Sequence, residues 1–176
     1  MKKNLSNKQI EKYSRQIVLK NVGTIGQKKI LNSNVLVVGA GGLGCPVIDY
    51  LSRAGVGRLG IIDYDKIDPS NIHRQSIYTY KDVGKYKVDV LKRKIMDINP
   101  DIKTKIFKSK ITNKNANKIL KQFDIIVDGS DNFKTKFLLN QFAYKLKKTF
   151  IVGAIIRYNG HVFSFNFKRF LLKGDG

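Results

Sequence analysis

An apolar run that ends in a cluster of glycines constrains the fold of this chain more than any other feature. Residues 35–46 have the sequence VLVVGAGGLGCP, in which an apolar stretch typical of a buried strand leads directly into a glycine turn. Gly39, Gly41 and Gly44 have the spacing G-x-G-x-x-G of turns that cradle phosphates between a strand and a helix N-terminus. The spacing predicts a nucleotide site in an α/β fold but does not identify the nucleotide.

Segments with strand and helix character alternate on both sides of this turn. Strand-like runs lie at residues 34–38, 58–65, 102–107, 123–128 and 149–156, and helix-like runs at 45–56, 84–100, 113–122 and 133–148. Short helices at 8–19 and 25–32 precede the first strand, and a turn at Asn159 and Gly160 is expected to lead into a last strand. The alternation predicts a single Rossmann-like domain over residues 1–176, with a doubly wound, mainly parallel sheet and helices on both faces.

Composition excludes several classes of protein. The sequence has no apolar run long enough to span a membrane, no secretory signal, and a single cysteine, so we expect a cytoplasmic protein without a disulfide framework. The formal net charge of +21 comes from lysines and arginines spread along most of the chain, whereas a nucleic-acid interface is typically a cluster. We therefore expect no specific nucleic-acid partner, although the charge favours docking of an acidic protein.

Polar residues that follow the second strand form the first group of candidate binding residues. Asp63 lies about 20 residues beyond the glycine turn, where an acidic side chain accepts hydrogen bonds from a ribose. An NAD-dependent dehydrogenase would have the same feature. However, Asn71, Arg74 and Gln75 follow on the same segment and Lys87 opens the next helix. Amide and cationic donors gathered in this way suit a polyphosphate whose charge rises during group transfer.

A second group follows the strand at 123–128, in the sequence DGSDN. Asp128 lies at the end of the strand, where its carboxylate is expected to cap the turn. Asp131 lies beyond the strand and is free to hold Mg²⁺ beside phosphate oxygens, with a helix cap as the alternative role. Gly42 of the glycine turn and Asp65 complete the set of residues that we assign to nucleotide binding.

The remaining metal-ligating or nucleophilic side chains do not form a site in the sequence. Cys45 follows the glycine turn at the start of a helix, where a small packed thiol is expected. His73 and His161 have no partner cysteine or carboxylate at ligand spacing, which favours surface or packing roles. We therefore expect no zinc in this chain.

The motifs together resemble a known family. YSRQIVL, GAGGLGCP, AGVG, DYDKIDPSNIHRQ, GKYK, INP, VDGSDN and GAIIRYNG occur in this order between about residues 5 and 165. They resemble the bacterial adenylyltransferases that activate ubiquitin-like sulfur carriers for molybdopterin and thiazole biosynthesis, relatives of ubiquitin-activating enzymes. The resemblance implies ATP-dependent adenylation of a carrier's C-terminal glycine carboxylate, with release of pyrophosphate. It further implies contacts to the ATP phosphates from Gly41, to the ribose from Asp63, to the triphosphate from Asn71, Arg74 and Lys87, and to Mg²⁺ or ATP from Asp131.

The resemblance also has consequences for assembly. It implies that Arg15, in YSRQI, reaches the ATP site of a neighbouring subunit in a homodimer or in a heterodimer with a longer relative, so that Arg15, Arg74, Lys87 and Asp131 form the catalytic set. Members of the family continue into a cysteine-bearing region, often with two zinc-binding C-x-x-C pairs, which this sequence lacks. We therefore expect a truncated member of the family.

Two other functions are consistent with part of this pattern. A nucleotide-binding remnant or partner subunit without catalytic activity would keep the glycine turn. A Rossmann oxidoreductase is disfavoured because the sequence contains no substrate domain and because Asn71, Arg74 and Lys87 would have no redox role.

Overall fold

The structure is a computed structural model that describes residues 5–167. Within this range six strands form one sheet in the order β3-β2-β1-β4-β5-β6. The first five strands are parallel and β6 runs antiparallel to β5. The mainly parallel sheet predicted from the sequence is therefore confirmed. The strands are β1 (Asn34–Val38), β2 (Arg58–Ile62), β3 (Lys103–Phe107), β4 (Ile125–Asp128), β5 (Thr149–Ile156) and β6 (Asn159–Asn166).

Helices connect the parallel strands, and their ends follow from local sequence. Pro46 lies in the first turn of the helix after β1, where its missing N–H breaks no hydrogen bond. That helix ends at Gly55, which adopts a left-handed φ of 84°. The helices are α1 (Asn7–Lys12), α2 (Ser14–Ile17), α3 (Gly23–Leu31), α4 (Gly44–Ala54), α5 (Lys87–Ile98), α6 (Asn113–Leu120) and α7 (Phe133–Lys145).

The core consists of two layers, one on each face of the sheet. Successive residues of a strand point to opposite faces, and β1 shows the result. Val35 and Val37 pack with buried residues of α4 and α5. Leu36 and Val38 pack with buried residues of α6 and α7. Helices therefore cover both faces of the sheet, as the sequence predicts.

The N-terminal segment differs from its prediction. The capping box of Ser6 and Gln9 begins α1 as expected, but the single helix predicted at residues 8–19 is broken at Tyr13 into α1 and α2. The break buries Tyr13, whose hydroxyl accepts a hydrogen bond of 3.0 Å from Asn99 Nδ2. The phenol ring also fills the space beside Gly55, where a Cβ atom would lie 2.4 Å from its hydroxyl. Arg15 is exposed on α2.

The predicted turn at Asn159 and Gly160 is wrong. The β5–β6 turn consists of Arg157, which has a φ of 56°, and Tyr158, and both predicted turn residues already belong to β6. The observed register places Phe165 opposite Phe150, with stacked rings 6.3 Å apart. A turn two residues later would lose this pairing, so side-chain packing across the strands outweighs the local preference of an Asn-Gly pair. In residues 5–167 no helix is long and apolar enough to cross a membrane.

Candidate nucleotide-binding site

The glycine turn between β1 and α4 contains glycines of two kinds. Gly39 has a φ of 92°, and a Cβ atom on it would lie 2.9 Å from the carbonyl oxygen of Gly129. A Cβ atom on Gly44 would lie 1.9 Å from the carbonyl oxygen of Gly39. These two positions require glycine because backbone packs against backbone. Around Gly41 and Gly42, by contrast, a Cβ atom would approach nothing closer than 3.8 Å, so the turn leaves room for a ligand there.

Asp63 connects the glycine turn to the segment after β2. Its Oδ2 accepts a hydrogen bond of 2.7 Å from the backbone amide of Ala40, and its Oδ1 accepts one of 2.7 Å from the amide of Asp65. Each carboxylate oxygen keeps a second lone pair for another donor. Asp63 thus has a structural role in shaping the turn, and its contact with a ribose stays a prediction.

The segment after β2 returns to the glycine turn, as the sequence predicts. The Cγ and Cδ atoms of Arg74 lie 3.9 Å from the position of a Cβ atom on Gly42. Gln75 Nε2 lies 3.8 Å from the corresponding position on Gly41. Gln75 is 2% exposed. Its Nε2, a donor, is the atom that faces Gly41, while its Oε1 is buried without a hydrogen-bond partner among the described residues.

Asn71 and Arg74 are partly fixed within that segment. Asn71 Oδ1 accepts a hydrogen bond of 3.2 Å from the amide of Asp68, which closes the short 3₁₀ turn Pro69–Asn71. Arg74 Nη1 donates a hydrogen bond of 2.8 Å to the carbonyl of Ser70. Arg74 nevertheless remains exposed, so its guanidinium keeps donors for an anion.

Lys87 places a positive charge below the surface of the site. It is the first residue of α5 and is 5% exposed. Its Nζ lies 3.2 Å from Asp65 Oδ2, and its backbone amide donates to the carbonyl of Asp65 at 3.1 Å. The two predicted residues Asp65 and Lys87 are therefore an ion pair at the carboxyl end of β2.

The turn after β4 is held by a lysine that the sequence did not indicate as a site residue. Asp128 is buried, and its Oδ1 caps the turn by accepting a hydrogen bond of 2.8 Å from the amide of Ser130. Lys136 Nζ, from α7, lies 3.1 Å from Asp128 Oδ2 and donates to the carbonyls of Ser130 and Gly153 at 2.8 and 2.7 Å. The capping role predicted for Asp128 is confirmed, and Lys136 fixes the turn that precedes Asp131.

Asp131 is exposed at this edge of the sheet. Its Oδ1 is 3.3 Å from the side-chain amide of Asn132. Asn132 is the residue that caps α7, because its Oδ1 accepts a hydrogen bond of 2.9 Å from the amide of Thr135. The alternative that Asp131 is the helix cap is therefore wrong, and its carboxylate faces solvent.

Asp82, in the segment between β2 and α5, forms a second stabilising ion pair that the sequence did not indicate. Burial by itself would raise the pKa of Asp82. Hydrogen bonds from the hydroxyl and amide of Thr79 and from Arg93 instead lower it from 3.8 to about 2. Through Arg93, the ionised Asp82 carboxylate therefore links the segment between β2 and α5 to α5 itself, the helix that begins with Lys87. An aspartate three residues after a threonine is a recognisable capping signal, but nothing in the sequence indicated its pairing with Arg93.

The cysteine and the histidines lie as the sequence predicts. Cys45 is fully buried, and burial raises the pKa of its thiol to about 11, so it carries no thiolate at neutral pH. His73 and His161 are exposed. Within the described residues 5–167 no group of three or more histidines, cysteines, aspartates and glutamates could hold a metal ion.

The doubly wound sheet, the glycine turn at the end of β1 and the donors gathered beside it define a Rossmann-like α/β domain. The chain belongs to the ThiF family, whose family model matches residues 13–172.

Individual relatives extend this comparison. The chain is 41% identical over 161 residues to a sulfur carrier protein adenylyltransferase from Thermus thermophilus. The aligned residues cover 92% of the chain and 59% of the relative. It is 41% identical over 157 residues to a probable molybdopterin-synthase adenylyltransferase from Porphyra purpurea, covering 89% of the chain and 41% of the relative. The chain thus spans only 59% and 41% of the lengths of these two curated relatives.

A solved structure has the same fold. The crystal structure of Escherichia coli MccB with AMPCPP and MccA matches 82% of the chain and 45% of MccB, with a TM-score of 0.75 and 27% sequence identity.

Proposed function

We propose that this chain is the ATP-binding part of an adenylyltransferase that activates the C-terminal glycine of a ubiquitin-like sulfur-carrier protein. The observation that carries the proposal is the meeting of Arg74 and Gln75 with the open part of the glycine turn at Gly41 and Gly42. Donors on both sides of this edge suit a polyphosphate chain. The relatives are named adenylyltransferases of sulfur-carrier and molybdopterin pathways, and MccB was crystallised with AMPCPP, an ATP analogue.

The proposed roles follow from position. The backbone amides at Gly41 and Gly42 donate to phosphate oxygens, and Gln75 donates to the same region from its Nε2. Asn71, Arg74 and Lys87 supply donors and positive charge to the triphosphate. Gly39 and Gly44 shape the turn, and the proposed contact with the ribose comes from Asp63 and Asp65.

The reaction proposed is the transfer of an adenylyl group to a carboxylate. A carboxylate oxygen of the carrier's terminal glycine attacks the α-phosphorus of ATP. A new P–O bond forms, the bond between the α-phosphorus and the bridging oxygen breaks, and pyrophosphate leaves with the bonding electron pair. The terminal carboxylate is already ionised at neutral pH, so the attack needs no general base. The site therefore has to supply alignment and positive charge rather than a catalytic triad.

Magnesium is the metal that fits the residues present. One exposed carboxylate, on Asp131, together with oxygens of the phosphates matches the preference of Mg²⁺ for few protein ligands and several oxygen donors. When bound, Mg²⁺ would neutralise charge on the phosphates. Asp131 would hold the ion, and Lys136 would keep the preceding turn in place through its three contacts.

The partners proposed are a carrier and a second subunit. A net charge of +21 favours docking of an acidic carrier through long-range attraction. Arg15 lies on α2 outside the sheet and is exposed, so its side chain is free to enter the site of a neighbouring subunit. We propose a homodimer, or a heterodimer with a longer relative, in which Arg15 completes the charge around the triphosphate in trans.

Ligand preference and pyrophosphate exchange test the proposal. In a thermal-shift titration, ATP with Mg²⁺ should raise the melting temperature more than NAD does. Stabilisation by NAD alone would instead favour an oxidoreductase. Exchange of labelled pyrophosphate into ATP should require a ubiquitin-like carrier with its terminal glycine intact, and a carrier lacking that glycine is the control. Binding of ATP without any exchange would identify a non-catalytic nucleotide-binding subunit.

A further inference from the structure

Ala40, in the glycine turn of the candidate site, is held through its own amide and its own carbonyl oxygen, which belong to two successive peptide groups. Ala40 is fully buried inside the glycine turn. Its amide donates a hydrogen bond of 2.7 Å to Asp63 Oδ2. Its carbonyl oxygen accepts one of 2.9 Å from the hydroxyl of Tyr78 and a longer contact of 3.4 Å from the thiol of Cys45. The backbone on both sides of Ala40 is therefore oriented by three side chains, those of Asp63, Tyr78 and Cys45.

Tyr78 belongs to the segment that carries the donors opposite the turn. It is 3% exposed, and its backbone amide donates a hydrogen bond of 3.1 Å to the carbonyl of Gln75. The Tyr78 side chain thus connects the segment that contains Arg74 and Gln75 with the glycine turn. Its hydrogen-bond partner, Ala40, lies 38 positions earlier in the sequence. This hydrogen bond from the Tyr78 hydroxyl to the Ala40 carbonyl links the two backbone segments and fixes their separation.

We propose that Tyr78 is a positioning residue for the nucleotide phosphates, which acts by holding the glycine turn at a fixed distance from Arg74 and Gln75. The inference rests on the proposed function, since it assumes that a triphosphate lies between these two groups. Burial raises the pKa of the Tyr78 phenol well above its usual range, so the hydroxyl stays protonated and donates to Ala40 throughout the neutral range. Cys45 also stays protonated, because burial raises the pKa of its thiol.

The substitution Tyr78→Phe tests this role because it keeps the ring and removes only the hydroxyl. The Ala40 carbonyl would then retain only the weaker thiol contact. We expect the Kd for ATP, measured by calorimetry, to rise about tenfold, the effect of one buried hydrogen bond. The Kd for adenosine, measured by competition, should change by less than about twofold, since adenosine has no phosphate to be positioned. Tyr50→Phe, on the exposed face of α4, is the matched control and should bind both ligands as the unmodified chain does.

The ratio of the two Kd changes separates positioning from general destabilisation. A purely structural role would weaken ATP and adenosine by the same factor or neither of them, and either result would overturn the inference while leaving ATP binding by the unmodified chain intact. Failure of the unmodified chain to bind ATP would refute the proposed function, and this inference with it.

A measurement on the unmodified chain keeps the inference testable if Tyr78→Phe does not fold. Amide hydrogen exchange should slow at residues 39–42 and 74–78 over the same range of ATP concentration. The hydrogen bond from Tyr78 to Ala40 joins these two segments, so they should become protected together. Protection of one segment without the other would overturn the inference.

Discussion

Two glycines only three positions apart in the same turn should respond to the same substitution in opposite ways. Gly44 lies where a Cβ atom would be 1.9 Å from the carbonyl oxygen of Gly39 and 2.9 Å from its carbonyl carbon. Gly41 has the Nε2 atom of Gln75 as its nearest neighbour, at 3.8 Å, which is ordinary van der Waals contact. We therefore expect Gly44→Ala to damage the fold and Gly41→Ala to damage binding.

The magnitudes follow from these distances. To accommodate a methyl group on Gly44, backbone atoms must move apart by more than 1 Å in a turn that Gly129, the residue after β4, also packs against. Overpacking of this kind costs about 3 kcal/mol or more. Gly41 has no left-handed φ, so alanine fits its backbone, and the free energy of unfolding should change by less than about 1 kcal/mol. The added methyl group lies where we propose that phosphate approaches, so the Kd for ATP should rise about tenfold or more.

Urea unfolding followed by circular dichroism, together with calorimetric ATP titration, measures both quantities on the same preparations. Gly44→Ala should lower the midpoint of unfolding, while Gly41→Ala should keep the midpoint and lose ATP affinity. The reasoning is refuted if Gly41→Ala binds ATP as tightly as the unmodified chain, or if Gly44→Ala is as stable as the unmodified chain.

Three further predictions concern charged residues. Asp131→Ala should reduce carrier-dependent pyrophosphate exchange by about 100-fold. The melting temperature should change little, because the carboxylate is exposed. An unchanged exchange rate or a lost fold would assign Asp131 a structural role. Arg15→Ala and Lys87→Ala chains, each inactive alone, should regain exchange activity when mixed, since one site of the mixed dimer has both groups; mixed dimers that remain inactive would exclude action in trans. Because the pKa of Asp82 is lowered from 3.8 to about 2 in the folded chain, its stabilisation of about 2 kcal/mol should be complete above about pH 5 and be largely lost as the pH falls to about 2. Urea unfolding of Asp82→Asn should lack this part of the pH dependence, and a difference from the unmodified chain that is the same at pH 7 and pH 2.5 would contradict it.

Much of the fold could be predicted because it is encoded locally. Alternating strand and helix segments, the proline at the start of α4 and the glycine at its end depend on neighbouring residues, and the structure has them where the sequence indicates. The positions of Lys87 at the start of α5 and of Asp128 at the end of β4 follow in the same way. The two failures, the break at Tyr13 and the turn at Arg157, occur where a distant packing partner outweighs local preference.

Much of the candidate site could also be predicted, because the carboxyl ends of parallel strands meet at one edge of the sheet. The sequence by itself therefore determined which segments reach that edge: the glycine turn, the segment with Arg74 and Gln75, and the turn that carries Asp131. Only the tertiary structure decided how they are held there, through the contact of Tyr78 with Ala40 and that of Lys136 with Asp128 and Gly153. Helix and strand periodicities extend over a few residues, whereas these hydrogen bonds join groups on separate elements whose distances are set only when the sheet has assembled.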